Sequence, residues 1–190
     1  MLRSTVGLLR DRSVAGICLS GAVIGVAFGV FWNTIPFELQ ATFGFGPAAV
    51  GAFGLVAAVS AAASPIAGRL ADRYGVRGTQ TAVLAALLLG WLLIAAPPPW
   101  PVVVVAAIVI DVGLWSNQVV NQAALFHADP RDHSKLNTLY FGSRFAGISA
   151  GSAFGTAVWS QLGWHAVVAA GAGCSVVGLA VFRRFVRSGY

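Results

Sequence analysis

The chain has 190 residues, of which 57% are hydrophobic and 9% charged, and its formal net charge is +6. A soluble domain carries roughly 25% charged residues, so this composition cannot cover a water-facing surface and excludes a soluble globular fold. What remains is an integral membrane protein, with the lipid bilayer as its first partner. The basic excess does not point to nucleic acid, because it sits in short connections and tails between apolar runs.

A helix needs about 20 mainly apolar residues to cross the hydrocarbon. Six such runs follow one another at roughly 14–35, 47–67, 79–96, 102–125, 136–159 and 163–183, and form one membrane domain over residues 1–190. The predicted class is all-α with six transmembrane helices. The opening residues have the basic start of a signal peptide, but the apolar run is too long and no small-residue cleavage site follows. It therefore reads as an uncleaved first span.

Within the first span Gly21, Gly25 and Gly29 recur at every fourth position, and Asn33 lies near its outer end. Pro47 suits the first turn of the second span, which is rich in Gly and Ala. Between the second and third spans stands "GRLADRYGVRG" (68–78), a charged knot read as a tight turn. The third span is bland and suits lipid contact. After it, Pro97–Pro101 with Trp100 can only turn.

The fourth span is the most polar, with Asp111, Trp115, Asn117, Gln118, Asn121 and Gln122. His127, Asp129, Asp132 and His133 follow in a loop whose spacing fits no metal template. The fifth span repeats the small-residue stripe in Gly147, Gly151 and Gly155 and carries Arg144. The sixth is as bland as the third. Both glycine stripes are read as helix-packing surfaces that let another backbone approach closely. Each set of three spans runs polar or small, then small, then apolar, an order that fits an inverted repeat. Cys18 and Cys174 lie inside apolar runs, and no disulfide, metal or cofactor is expected.

Eleven of the 12 basic residues sit before the first span, between the second and third, between the fourth and fifth, or after the sixth. The other three connections contain none, and Arg144 is the twelfth. The positive-inside rule then places both termini in the cytoplasm of a multi-pass cell-membrane protein.

Asp111 falls near the bilayer midplane, where an Asp costs about 2.5–3.5 kcal/mol on insertion scales. Desolvation penalises its charged form. An acid that holds or releases a proton is what proton-coupled transport requires. Asp111, Gln118 and Gln122 fall at i, i+7 and i+11, a face read as lining a polar cavity. The competing reading is a protonated Asp that bonds a neighbouring helix. Arg144 is expected level with Asn117 and Gln118, about 10 Å short of Asp111 at 1.5 Å per residue. There it could snorkel to the cytosol or hold an anionic group.

The spacing of Gly68, Leu70, Asp72, Arg73, Gly75 and Arg77 resembles the loop signature of the major facilitator superfamily, commonly written G-x-L-x-D-R-x-G-R-R/K. Val76 stands where a basic residue is usual. "SNQ" at 116–118 and "SKLNTLYFGSRFAGISAGSAFGTAVWSQLGW" at 134–164 resemble the last helices of bacterial drug- and sugar-efflux members. The resemblance covers nearly the whole chain as the carboxyl-terminal six-helix half of a twelve-helix transporter. It implies that the first and fourth spans line a central cavity, the second and fifth meet the other half, and the third and sixth face lipid. It also implies a latch role for the charged knot.

The expected function is half of a secondary active transporter, exporting a small organic solute in exchange for protons as an antiporter. A homodimer, a separate amino-terminal half or a truncated gene product would each accommodate a half, and truncation fits a sequence without features adapted to independent life. The alternative is a non-transporting remnant or scaffold. Nothing resembles an enzyme's nucleophile–base constellation.

Overall fold

The structure, a computed structural model, describes residues 7–61, 64–96, 98–128 and 133–186. Arg3, Pro97, Asp129, Arg131, Asp132 and Arg187 lie outside the described residues. Among the described residues all regular structure is helical.

A short 3-10 turn, Leu8–Arg10, delivers Asp11 to the start of α1 (Arg12–Phe43). The Asp11 carboxylate accepts from the Ser13 and Val14 amides at 2.7 and 3.2 Å, a side-chain N-cap. The first span was expected to end near 35, yet α1 continues for two more turns through Pro36. Proline removes only one helical donor, and a membrane helix can absorb that loss locally. The helix ends at Gly44, whose φ of 64° directs its amide to Gln40 O and the Phe45 amide to Leu39 O. The expected connection over 37–46 thus shrinks to Gly44–Gly46.

The second span is interrupted at Gly54, between α2 (Pro47–Phe53) and α3 (Leu55–Ala61), and α4 (Ser64–Tyr74) follows. Gly54 closes on Gly51 O at 3.1 Å in a tightened i→i−3 turn. Four helices follow: α5 (Val76–Leu93), α6 (Trp100–Ala128), α7 (His133–Leu162) and α8 (Trp164–Phe185).

Among the described residues four helices are long and apolar enough to cross a membrane: α1, α5, α6 and α8. The 30-residue α7 is long enough but polar, with Lys135, Asn137, Arg144 and a series of Ser and Thr.

In space α1 packs along α7 and α8, while α6 packs along α5 and against α3 and α4. The pairs α1–α6 and α5–α8 also touch. Glycine sets the closest of these approaches. A Cβ at Gly25 would strike the Arg144 carbonyl, and one at Gly29 that of Ile148. From the other side, Gly147 and Gly151 meet the carbonyls of Ala22 and Val26. Gly21 lies against the Tyr140 ring, and Gly155 against Val30. Backbone-to-backbone packing of this kind holds helices together in lipid, where burying apolar surface gives no net drive.

Apolar packing forms two clusters. One surrounds Phe31, Trp91 and Ile110, and the other, at the arginine-bearing end, surrounds Ile17, Leu125, Tyr140 and Phe182. Buried polar side chains of α6 occupy the join between them.

Candidate functional site

The site is built around the middle of α6. Asp111 is wholly buried, and its Oδ1 accepts a 2.8 Å hydrogen bond from the indole Nε1 of Trp32 on α1. The Ser60 hydroxyl of α3 and the Trp115 indole one turn along α6 also face the carboxyl group. Oδ2 has no hydrogen-bond partner. Trp32 is held edge-on to Phe31 at 5.5 Å, and Phe31 packs edge-on to Trp91 at 5.7 Å. The donor to Asp111 is therefore fixed by aromatic packing between two helices.

Arg144 does not snorkel. It is 3% exposed, and its Nη2 donates to the Leu114 carbonyl at 3.2 Å. Its guanidinium thus reaches Leu114, nearer Asp111 along α6 than the Asn117 level expected from helix rise. Its backbone is fixed because Gly25 sits directly on the Arg144 carbonyl. The guanidinium lies 6.0 Å from the Phe28 ring, a cation–π arrangement, and Phe28 meets Trp115 edge-on at 6.4 Å. No direct bond joins Arg144 to Asp111, since Oδ1 is held by Trp32 and both Oδ2 and Nη1 are without partners. Phe28 and Trp115 fill the space around the two charges.

The amides of α6 divide into two groups. Asn117 and Asn121 are fully buried and form a network: Gln80 of α5 donates to Asn121 Oδ1 at 3.3 Å, and Asn121 Nδ2 reaches Asn117 Oδ1 and the Tyr140 hydroxyl. Gln118 and Gln122 are partly exposed, and Gln122 donates to Asn137 Oδ1 of α7 at 2.9 Å. Asp111, by contrast, points inward, so the predicted face of Asp111, Gln118 and Gln122 does not open evenly onto one cavity. Helical spacing counts angle only, and cannot see that Trp32 and Trp115 cover the carboxyl end of the stripe. Asn33 donates to Ser152 O at 3.1 Å and to the Thr156 hydroxyl, which joins α1 to α7.

The charged knot is not a loop. Gly68, Leu70, Asp72 and Arg73 belong to α4, and Arg77 to the first turn of α5, so Gly75 alone forms the link. Its φ of 78° is accessible to glycine and costly for other residues. A Cβ at Gly68 would lie 3.5 Å from Val119 of α6, an ordinary contact distance. Asp72 and Arg73 are exposed, with Arg73 lying 5.3 Å from the Tyr74 ring. Among the described residues no hydrogen bond or ion pair reaches Asp72. Arg77 donates to the Arg183 carbonyl at 3.0 Å, which ties α5 to the end of α8.

Sequence reasoning missed Trp32, Phe28, Ser60, Gln80 and Tyr140. Trp32 carried no usable signal, because an expected span end at 35 puts it at an interface, where Trp gathers, and only the extension of α1 to Phe43 sets it inside the bundle. Gln80 and Tyr140 stand near the ends of apolar runs, where polarity is ordinary, and nothing in their spacing ties them to Asn121.

Two comparisons bear on what this arrangement belongs to. A probable transporter of Streptomyces coelicolor is 28% identical over 167 residues, which cover 85% of this chain and 38% of that relative. The chain thus spans well under half of that relative's length. Residues 17–189 match the family model of the Major Facilitator Superfamily, and a match over nearly the entire chain settles its family. The chain belongs to the major facilitator superfamily.

Proposed function

We propose that the chain forms one six-helix half of a secondary transporter that exports a small organic solute in exchange for protons. Asp111 carries the proton in this reading. The observation that supports it best is the group of buried polar atoms without partners around Asp111: its own Oδ2, Trp115 Nε1, Asn117 Nδ2 and Arg144 Nη1. Buried polar groups are paired in the great majority of cases. Four unpaired ones within two turns of α6 and its contact with α7 fit a site that gains partners during a working cycle. Arg144, confined beside an aromatic pair, supplies the positive charge whose balance with Asp111 changes as the proton comes and goes.

The helix pairings support two inverted three-helix repeats. Exchanging the first span with the fourth, the second with the fifth and the third with the sixth turns α1–α7 into α6 with α3 and α4. The same exchange turns α1–α8 into α6–α5 and leaves α1–α6 and α5–α8 unchanged. In the proposed arrangement both termini and the Gly68–Arg77 motif face the cytoplasm of a cell membrane. There Asp72 and Arg73, exposed and close to the basic end, are the groups available to latch a second half. That half is another copy, a separate amino-terminal unit or the remainder of a longer transporter of which this chain is a truncated part.

The test is flux of a panel of small organic solutes across native-membrane vesicles enriched in the protein, with an imposed pH gradient. At least one solute should move against its own gradient, and a protonophore should abolish the movement. Flux that is unaffected by the protonophore would refute proton coupling. No flux above that of vesicles lacking the protein would refute transport.

A further inference from the structure

A groove runs down the outside of the bundle between α4, α5 and α6. Its volume is about 570 Å³, and its lining is almost entirely apolar, including Ile66, Leu70, Ala82, Val83, Ala86 and Val112. At its basic end Gly78 is shared with a second, polar depression of about 380 Å³, formed with Arg77, Thr81 and Arg183. The two meet at a residue without a side chain. The geometry points to a bound anionic phospholipid, its headgroup phosphate on Arg77 and Arg183 and one acyl chain in the groove.

Three observations select this occupant. The first is charge. The mouth carries two arginines, with the exposed Arg184 beside them, and Arg183 Nη2 already donates to the Thr81 hydroxyl at 3.3 Å. The headgroup pocket is thus a hydrogen-bonded frame of donors from two helices. Basic pockets between membrane helices favour anionic headgroups.

The second is depth. From Gly78 to Ala86 the lining follows α5 for eight residues, about 12 Å at 1.5 Å per residue. One leaflet's share of the roughly 30 Å hydrocarbon core is similar, so the groove ends near mid-membrane, as one acyl chain does. The third is surface. Gly78, Ala82 and Ala86 form an exposed strip without bulk, flanked by the exposed Ile66, Leu70 and Tyr74. Such a strip accepts a narrow, flexible chain. A partner helix would find polar Arg77 and Thr81 across its path.

The test is native mass spectrometry of the purified full chain in detergent. It is titrated separately with dioleoyl phosphatidylglycerol and dioleoyl phosphatidylcholine, with glycerol phosphate as a headgroup-only control. Three proteins are compared: wild type, the Arg77→Ala/Arg183→Ala double variant, and Ala82→Trp, which fills the groove and leaves the charges in place. Circular dichroism and gel filtration verify that each is folded. Wild type should retain one phosphatidylglycerol at least tenfold more tightly than phosphatidylcholine, and glycerol phosphate should not compete at equal concentration. The arginine variant should lose that preference. Ala82→Trp should reduce retention of both lipids severalfold while remaining monomeric. Equal retention of the two lipids by wild type would overturn the proposal. So would unchanged phosphatidylglycerol binding by Ala82→Trp, or competition by glycerol phosphate, since either leaves the groove with no role. A wild-type dimer that Ala82→Trp dissociates would assign the groove to a second copy instead.

Discussion

Trp32 is the residue whose loss should be felt most specifically at the site. Its indole donates to Asp111 Oδ1 at 2.8 Å, and Trp32→Phe removes that donor while keeping a ring against Phe31. Side-chain hydrogen bonds between membrane helices average about 0.6 kcal/mol and reach about 1.7 kcal/mol. A bond to an ionisable group with no second partner belongs near the upper end, so the expected cost is about 1–2 kcal/mol of thermal stability in detergent. The expected cost is smaller in the Asp111→Asn background, because Asn can accept from the indole only as a neutral partner. Equal costs in the two backgrounds would show that Trp32 acts by packing alone. Tyr140 presents the same question at the other end of α6, where its hydroxyl accepts from Asn121 and its ring fills the space left by Gly21.

At the scale of elements, the α1–α7 contact is the strongest structural claim, and glycines of different environment can test it. A Cβ at Gly151 would overlap the Val26 backbone, which cannot yield as a side-chain tip can. Gly151→Ala should therefore destabilise the protein by about 1–3 kcal/mol, the range for overpacking. Gly142 lies on the same helix with nothing within 4 Å of its would-be Cβ. Gly142→Ala should be neutral or stabilising by up to about 1 kcal/mol, as expected where alanine replaces glycine in an unobstructed helix. Thermal unfolding of both variants in one detergent checks the contrast, and a similar shift for the two would argue against close backbone contact.

This contact also marks the limit of what the sequence makes legible. The apolar runs locate the helices, because lipid demands some 20 apolar residues wherever a helix crosses. The glycine stripes mark which faces can approach closely. Runs and stripes do not say where a helix ends when Pro36 is absorbed or that Gly54 interrupts one, since those outcomes depend on local backbone bonding. Nor do they reveal the partners of Asp111, because Trp32 lies 79 positions away and only the α1–α6 crossing brings it close. Gly90 and Gly113, which seat Ile110 and Leu87 at the α5–α6 contact, were also missed, being single glycines without a repeat.

For the whole molecule, the proposed orientation rests on the uneven placement of the basic residues. Cysteines introduced at Gln40 and Pro98, in a background without Cys18 and Cys174, should react with an impermeant thiol reagent in intact cells. A cysteine at Gly78 should react only after permeabilisation, although Gly78 is as exposed as Gln40 in the fold. Labelling at 78 alone would invert the proposed topology, and with it the assignment of Asp72 and Arg73 to the cytoplasmic side. Exposed Leu89, Leu92, Val176 and Val177 on α5 and α8 are consistent with the lipid-facing role expected for the third and sixth spans. The exposed Phe145 and Phe154 of α7 lie on the element expected to meet a second half.

The central claim is that Asp111 carries the proton, and the most direct measurement compares wild type with Asp111→Asn in the same vesicles. Asn preserves the size of the carboxyl group and can still accept from Trp32, so expression and folding should stay near normal. It cannot release a proton. Flux driven by a pH gradient should therefore be lost, while exchange of the same solute down its own gradient persists. Full pH-driven flux in the Asp111→Asn protein would contradict the account, and failure of that protein to fold would make Asp111 a structural bond between helices.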